Sequence, residues 1–150
     1  MPYVEVSLVV SAERESIYPI LKDMERYPEF MKDLLSVRIL SRKNNTTITH
    51  WVSSIDGRII QWTESDIFDD EEMHISYSQI EGDLKKMQGE WVLKPLENGT
   101  EIKLIVDFDF GVPMLAGLLN PILKSRVRSN SRNMLEAIRD RLEEHEKPLQ

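Results

Sequence analysis

Between residues 44 and 110 the chain alternates apolar and polar positions in strand-length runs, and each run is closed by a turn signal. The signals are Asn44-Asn45, Asp56-Gly57, Asp69 to Glu72, Gly82-Asp83 and Asn98-Gly99. Asn-Gly and Asp-Gly pairs favour the positive-φ conformations of tight hairpins. Thr46 to Ile55 alternates, and so does Ile59 to Phe68; Met73 to Gln79 puts Met73, Ile75 and Tyr77 on one face. Glu101 to Phe110 is the clearest run, with Ile102, Leu104, Val106, Phe108 and Phe110 facing one way and Glu101, Lys103, Asp107 and Asp109 the other. Such a succession reads as an antiparallel meander with one wet face.

Two helical stretches flank the meander. Ser11 to about Arg26 carries Ile17, Ile20, Leu21 and Met24 at helical spacing, with Ser11 as the expected N-cap. Pro19 is awkward there, because it removes a helical hydrogen bond unless the helix starts near Ser16. The second stretch runs from roughly Met114 to His145. Its apolar stripe begins at Leu115, Leu118, Leu119, Ile122 and Leu123 and continues through Val127, Met134, Leu135, Ile138 and Leu142. Pro121 is expected to kink its first turns or to start a new helix. No repeat, low-complexity tract or linker interrupts the 150 residues, so residues 1–150 read as one domain.

The predicted order is therefore strand, helix, six strands, long helix. An antiparallel sheet with one long amphipathic helix must lay that helix across its apolar face, which is an α+β architecture. A sheet of six or seven strands also curls. Gly89 and Pro95 lie in the strand-like run around Trp91, where both residue types are normally excluded. Gly89 is thus the expected bend and Pro95 the expected strand end. Either the curled sheet and the helix meet fully, or they leave a hollow of about 300–1,000 Å³, the size of ordinary ligand sites. A valine at 89 would then lower ligand binding more than stability.

Composition removes several function classes. The chain has no cysteine, so disulfides, thiolate nucleophiles and Cys-ligated metal sites are excluded. A net charge of −7 disfavours direct contact with nucleic acid, whose affinity comes mostly from phosphate neutralisation. His50 and His74 fall on separate strands and His145 in a polar helix tail; no metal-binding, phosphate-loop or dinucleotide pattern is present. No metal and no cofactor are therefore expected. Met1-Pro2-Tyr3-Val4-Glu5-Val6 is strand-like rather than a basic region followed by an apolar one, and no apolar run approaches the ~20 residues of a membrane span. The expected location is the cytoplasm, with no integral membrane association. Oligomeric state has no signature in the sequence.

Several landmarks resemble the helix-grip fold of the START-related superfamily, in its polyketide cyclase/dehydrase and coenzyme-Q-binding branch. They are Ser11-Ala12-Glu13, the run from Asp23 to Phe30, the run from Glu81 to Trp91, Gly99-Thr100-Glu101, Val106 to Phe110, and Leu118-Leu119-Asn120-Pro121. The resemblance covers nearly the whole chain and is more specific to the fold than to a reaction. It implies a curved antiparallel sheet of six to seven strands wrapped around the C-terminal helix, a short helical segment after strand 1, and an apolar ligand gripped between sheet and helix.

Trp62 starts an alternating set with Glu64, Asp66 and Phe68, which share one strand face. The resemblance implies that this strand crosses the cavity floor. In the aromatase/cyclases it is similar to, a Gly-Arg pair begins the strand, as Gly57-Arg58 does here. A tryptophan follows, matched by Trp62, and four residues later an inward arginine, whose position is held here by Asp66. An aspartate is the wrong sign for a developing enolate. Glu64 and Asp66 are instead the candidate catalytic pair: a buried carboxyl has a raised pKa and can act as a general base in cyclisation or dehydration. The competing reading puts both on the wet face, since a register slip of one residue flips every side chain.

The expected ligand contacts are Trp62, Tyr27, Trp51, Tyr77, Met87, Trp91, Phe108, Asn130 and Met134. Tyr27-Pro28 reads either as a helix stop or as part of a lid. Asn130 falls on the apolar stripe of the long helix, so its amide needs a partner, either a ligand carbonyl or a backbone group. The methionines, Met31, Met87, Met114 and Met134 among them, suit a deformable pocket and an ordinary core equally. Three functions follow: binding of an aromatic or polyketide-like small molecule, with or without cyclase/dehydrase turnover; a non-catalytic carrier of an isoprenoid quinone or lipid; and a protein-interaction module.

Overall fold

The structure is a computed structural model that describes residues 3–55, 57–111 and 116–146, with side chains left aside at 55, 116–123, 145 and 146. Expectations for Met114 and Leu115, and for the side chains of Leu118, Leu119, Pro121, Ile122, Leu123 and His145, lie outside these described residues. Seven strands form one antiparallel sheet: β1 (Tyr3–Val10), β2 (Leu34–Lys43), β3 (Thr46–Ile55), β4 (Arg58–Asp69), β5 (His74–Gly82), β6 (Lys86–Leu96) and β7 (Gly99–Asp109). Their spatial order is β1-β7-β6-β5-β4-β3-β2. Strands β2 to β7 are thus a pure meander, and β1 pairs with β7 at one edge. Helix α1 (Arg14–Lys22) follows β1, and the long helix α2 (Ala116–Glu146) packs across β1 and β7. This is the helix-grip arrangement.

The turns explain the strand bounds. Asn44 and Gly57 adopt φ of 56° and 79°, the left-handed region that Asn and Gly enter most cheaply. β7 alternates without a break, burying Thr100, Ile102, Leu104, Val106 and Phe108. They meet Val4 and Val6 of β1 and Val127, Leu135, Ile138 and Leu142 of α2 in one core. On the outer face Lys103 pairs with Glu5 at 3.1 Å and Lys86 with Asp107 at 2.9 Å.

The first helical stretch is shorter than expected, and Ser11 is not its cap. Glu13 holds the N-cap position, with no side-chain hydrogen bond, and the α-helix ends at Lys22. A 3-10 turn over Met24–Glu29 follows. Asp23 breaks the helix at φ −87°, ψ 63°. Tyr27-Pro28 is therefore not what stops α1; it sits inside the 3-10 turn that follows.

Gly89 is explained by a close approach as much as by a bend. Tyr77 stands opposite it on β5 and Val106 opposite it on β7. The Tyr77 phenol crosses over the glycine and donates to the Ile105 carbonyl at 2.7 Å. A Cβ at 89 would lie 2.6 Å from that hydroxyl and would overlap the Ile105 carbonyl oxygen itself. Backbone cannot move aside as a side chain can, so the expectation that a substitution at 89 strikes binding before stability is corrected. Gly89→Ala should lower the unfolding free energy by about 1–3 kcal/mol, the usual cost of overpacking, read from urea unfolding without ligand. Pro95 lies past Trp91, the last β6 residue paired with β5, where β6 is bonded on one side only.

Candidate functional site: an aromatic cavity with a carboxyl pair

Between the concave face of the sheet and α2 lies a cavity of about 90 Å³. Of the side chains expected at the ligand, Trp51, Trp62, Tyr77, Met87, Trp91 and Phe108 line it from the sheet, and Asn130 and Met134 from α2. Glu64 lines it too. The hollow exists, but it is well below the 300–1,000 Å³ expected, because Val127, Leu104 and Phe110 fill space between the layers. It holds a single ring; anything larger has to extend out of it or part α2 from the sheet. Tyr27 and Asp66 lie behind this lining.

The alternating face of β4 points inward. Trp62, Glu64, Asp66 and Phe68 are all buried, whereas Ile67 and Asp69 are exposed. Across β3, Trp51 stands opposite Trp62, Thr49 opposite Glu64 and Thr47 opposite Asp66. Directly opposed side chains are the closest neighbours in a sheet, and here they build one network. The indoles of Trp51 and Trp62 stack with centroids 5.7 Å apart and planes 9° from parallel. Trp62 Nε1 donates to Glu64 Oε1 at 2.7 Å. Trp51 Nε1 donates to Thr49 Oγ1 at 2.7 Å, and that hydroxyl donates on to Asp66 Oδ2 at 2.5 Å. Thr47 adds a longer bond to the same oxygen, 3.4 Å.

Both carboxyls are taken from water, Glu64 at 3% and Asp66 at 0% exposure. No lysine, arginine or histidine lines the cavity among the described residues. Burial pushes Glu64 well above the carboxylate range, and its hydrogen bond to Asp66 and the nearby Asp66 charge push it further. Burial also raises Asp66, but hydrogen bonds from Glu64, Thr49 and Thr47 oppose the rise. Of the two, Glu64 is therefore the carboxyl that keeps its proton to higher pH. Asp66 Oδ1 is buried with no hydrogen-bond partner of its own. Two carboxyls sharing one proton are an arrangement suited to proton transfer.

Tyr27 supports the aromatic wall from behind. It is fully buried, packs edge-on against Trp51 and Trp91 at 5.7 and 6.3 Å, and donates its hydroxyl to the Leu21 carbonyl at 2.5 Å. Asn130 finds a partner that is neither a ligand nor backbone: its Nδ2 donates to Asp33 Oδ2 at 3.4 Å. This contact lies where a surface groove of about 330 Å³, beside Phe30, Met31 and Arg141, meets the cavity; Leu34, Asn130 and Met134 line both spaces. Arg58 is exposed at the start of β4.

Sequence reasoning did not find Thr47, Thr49, Ser53, Ser131 or Asp33. Counting back from the Asp56-Gly57 turn would have paired Thr49 with Glu64 and Thr47 with Asp66. Asp33 had no such signal, being 97 residues from its partner. Among the described residues no helix is long and apolar enough to cross a membrane.

The family model for polyketide cyclase/dehydrase and lipid transport matches residues 10–135. The bifunctional cyclase/dehydratase of the granaticin polyketide synthase from Streptomyces violaceoruber is 28% identical over 103 residues, 67% of this chain but only 32% of that protein. Among solved structures, the Zhui aromatase/cyclase from Streptomyces sp. R1128 superposes with a TM-score of 0.87 at 22% identity, covering 97% of this chain and 95% of that one. A START superfamily protein from Mycobacterium smegmatis gives 0.83 at 21% identity, covering 95% and 97%. With residues 10–135 matched, most of its length, the chain belongs to the polyketide cyclase/dehydrase and lipid transport family.

Proposed function

We propose that residues 1–150 act as one domain that binds an apolar, aromatic or polyketide-like small molecule in the cavity between sheet and α2. The observation that carries this reading is the lining itself: three tryptophans, Phe108 and two methionines around a single inward carboxyl, Glu64. Ligand sites combine an apolar wall with few polar groups in this way. Native mass spectrometry of the protein purified from its own host, followed by organic extraction, tests it. A co-purifying aromatic compound of hydroxylated or polyketide type supports the reading. A quinone or lipid moves the assignment to a carrier. A protein that neither co-purifies with nor takes up any apolar compound contradicts both and leaves a protein-interaction role.

One observation favours turnover as a second reading. Glu64 and Asp66 form a buried carboxyl pair on β4, so acid–base chemistry would here run through that pair. In that reading Asp66 takes a proton through Glu64 as the ligand enolises, and Glu64 returns one to a leaving hydroxyl. Glu64→Gln would then abolish turnover while leaving ligand affinity within about threefold.

A further inference from the structure

We propose that the buried end of the ligand is a hydrogen-bond donor, a hydroxyl or a protonated amine, seated on Glu64, and that carboxylate-ended ligands are excluded. The inference rests on the cavity reading above and adds the polarity of the head group. It follows from how each hydrogen on the carboxyl pair is already committed. Trp62 Nε1 donates to Glu64 Oε1, and Glu64 interacts with Asp66 on the side away from the lining, since Glu64 lines the cavity and Asp66 does not. Thr49 and Thr47 donate to Asp66 Oδ2, and Asp66 Oδ1 is buried without a partner, which draws the one proton of the pair to the side away from the cavity. What Glu64 has left for the cavity is lone-pair density, so it offers an acceptor and no hydrogen.

Charge points the same way. Negative charge on the pair has no cation to balance it in the lining among the described residues. A carboxylate brought beside it would be a second buried anion with no cation to pair with, which is strongly disfavoured. A donor completes the hydrogen bonding of a nearly water-free carboxyl, and an ammonium also gains from the tryptophan faces around it. The Tyr77 hydroxyl, bonded to the Ile105 carbonyl, is not free to invert this preference.

Four single-ring probes suit a cavity of about 90 Å³: phenol and benzylamine as donors, anisole as an acceptor of the same shape, and benzoate as the anion. Dissociation constants come from titrations followed by the indole N–H resonances of the three tryptophans. At neutral pH phenol or benzylamine should bind about tenfold more tightly than anisole, the value of one good hydrogen bond, although anisole is the more apolar. Benzoate should be at least 100-fold weaker than the better donor. The phenol-to-benzylamine ratio tells which donor the site takes. Glu64→Leu should reduce the donor advantage over anisole to about one, and Glu64→Gln, which keeps an acceptor oxygen, should restore it. Should Glu64→Leu not fold, the wild-type series and Glu64→Gln still decide. Anisole or benzoate binding as tightly as the donors overturns the head-group inference and leaves the cavity reading intact. Absence of any indole shift with all four probes overturns both.

Discussion

Between about pH 5 and the pH at which Glu64 ionises in the folded state, the unfolding free energy is expected to fall by about 1.4 kcal/mol per pH unit. The sign follows from proton counting. In the unfolded chain Glu64 loses its proton near the ordinary carboxylate range, whereas in the fold burial and Asp66 hold that proton well above it. Within this window the native state carries one more proton than the unfolded state, so stability falls as pH rises. The contribution is fully present below the unfolded value and is lost as pH climbs to the folded one. Glu64→Gln mimics the neutral carboxyl. It should flatten the profile over this window and leave the variant more stable than the parent at neutral pH. Urea unfolding of both proteins from pH 5 to pH 8 checks this; parallel profiles would mean that Glu64 is ionised in the fold.

Trp62→Ala should lower stability by about 3–5 kcal/mol, the range for emptying a large aromatic from a packed core. Trp62 is 9% exposed, stacks on Trp51 and satisfies Glu64, so the change removes packing and a hydrogen bond together. Trp62→Phe separates the two. It keeps a ring against Trp51 but deletes the donor that partly lowers Glu64. Its cost should be about 1–2 kcal/mol, and the downward pH slope should extend to higher pH than in the parent. Calorimetric melting at two pH values distinguishes the variants. A Trp62→Ala loss below about 1 kcal/mol would show that the stack and its carboxyl partner contribute little to the fold.

The meander was legible because each turn signal fixes both a strand end and a register. Thr46 to Ile55 was read from alternation and is the observed β3. The face of β4 was legible in part: Trp62 and Phe68 bracket Glu64 and Asp66, and burying two large aromatics forces both carboxyls inward. What separates Glu64 from Asp66 was not. One lines the cavity and the other sits behind it with two threonines, a difference set by how β3 lies against β4. The first helix was over-extended because its apolar spacing continues through Met24 into a 3-10 turn that buries the same side chains. Gly89 was read as a bend, whereas its closest neighbours are the Tyr77 hydroxyl and the β7 backbone, which only the assembled sheet brings together. Cavity volume was illegible for a similar reason. It is the small residue left when two layers pack, and a few side chains such as Val127 and Phe110 decide it.

The most direct test of the account is a crystal structure of the protein grown with 2-naphthol. The expected result is the ring system between Trp51, Trp91 and Met134, its hydroxyl on Glu64, and α2 displaced outward relative to the ligand-free protein to make room for the second ring. Naphthol bound only in the surface groove beside Phe30 and Arg141, with the aromatic cavity unchanged, would contradict it.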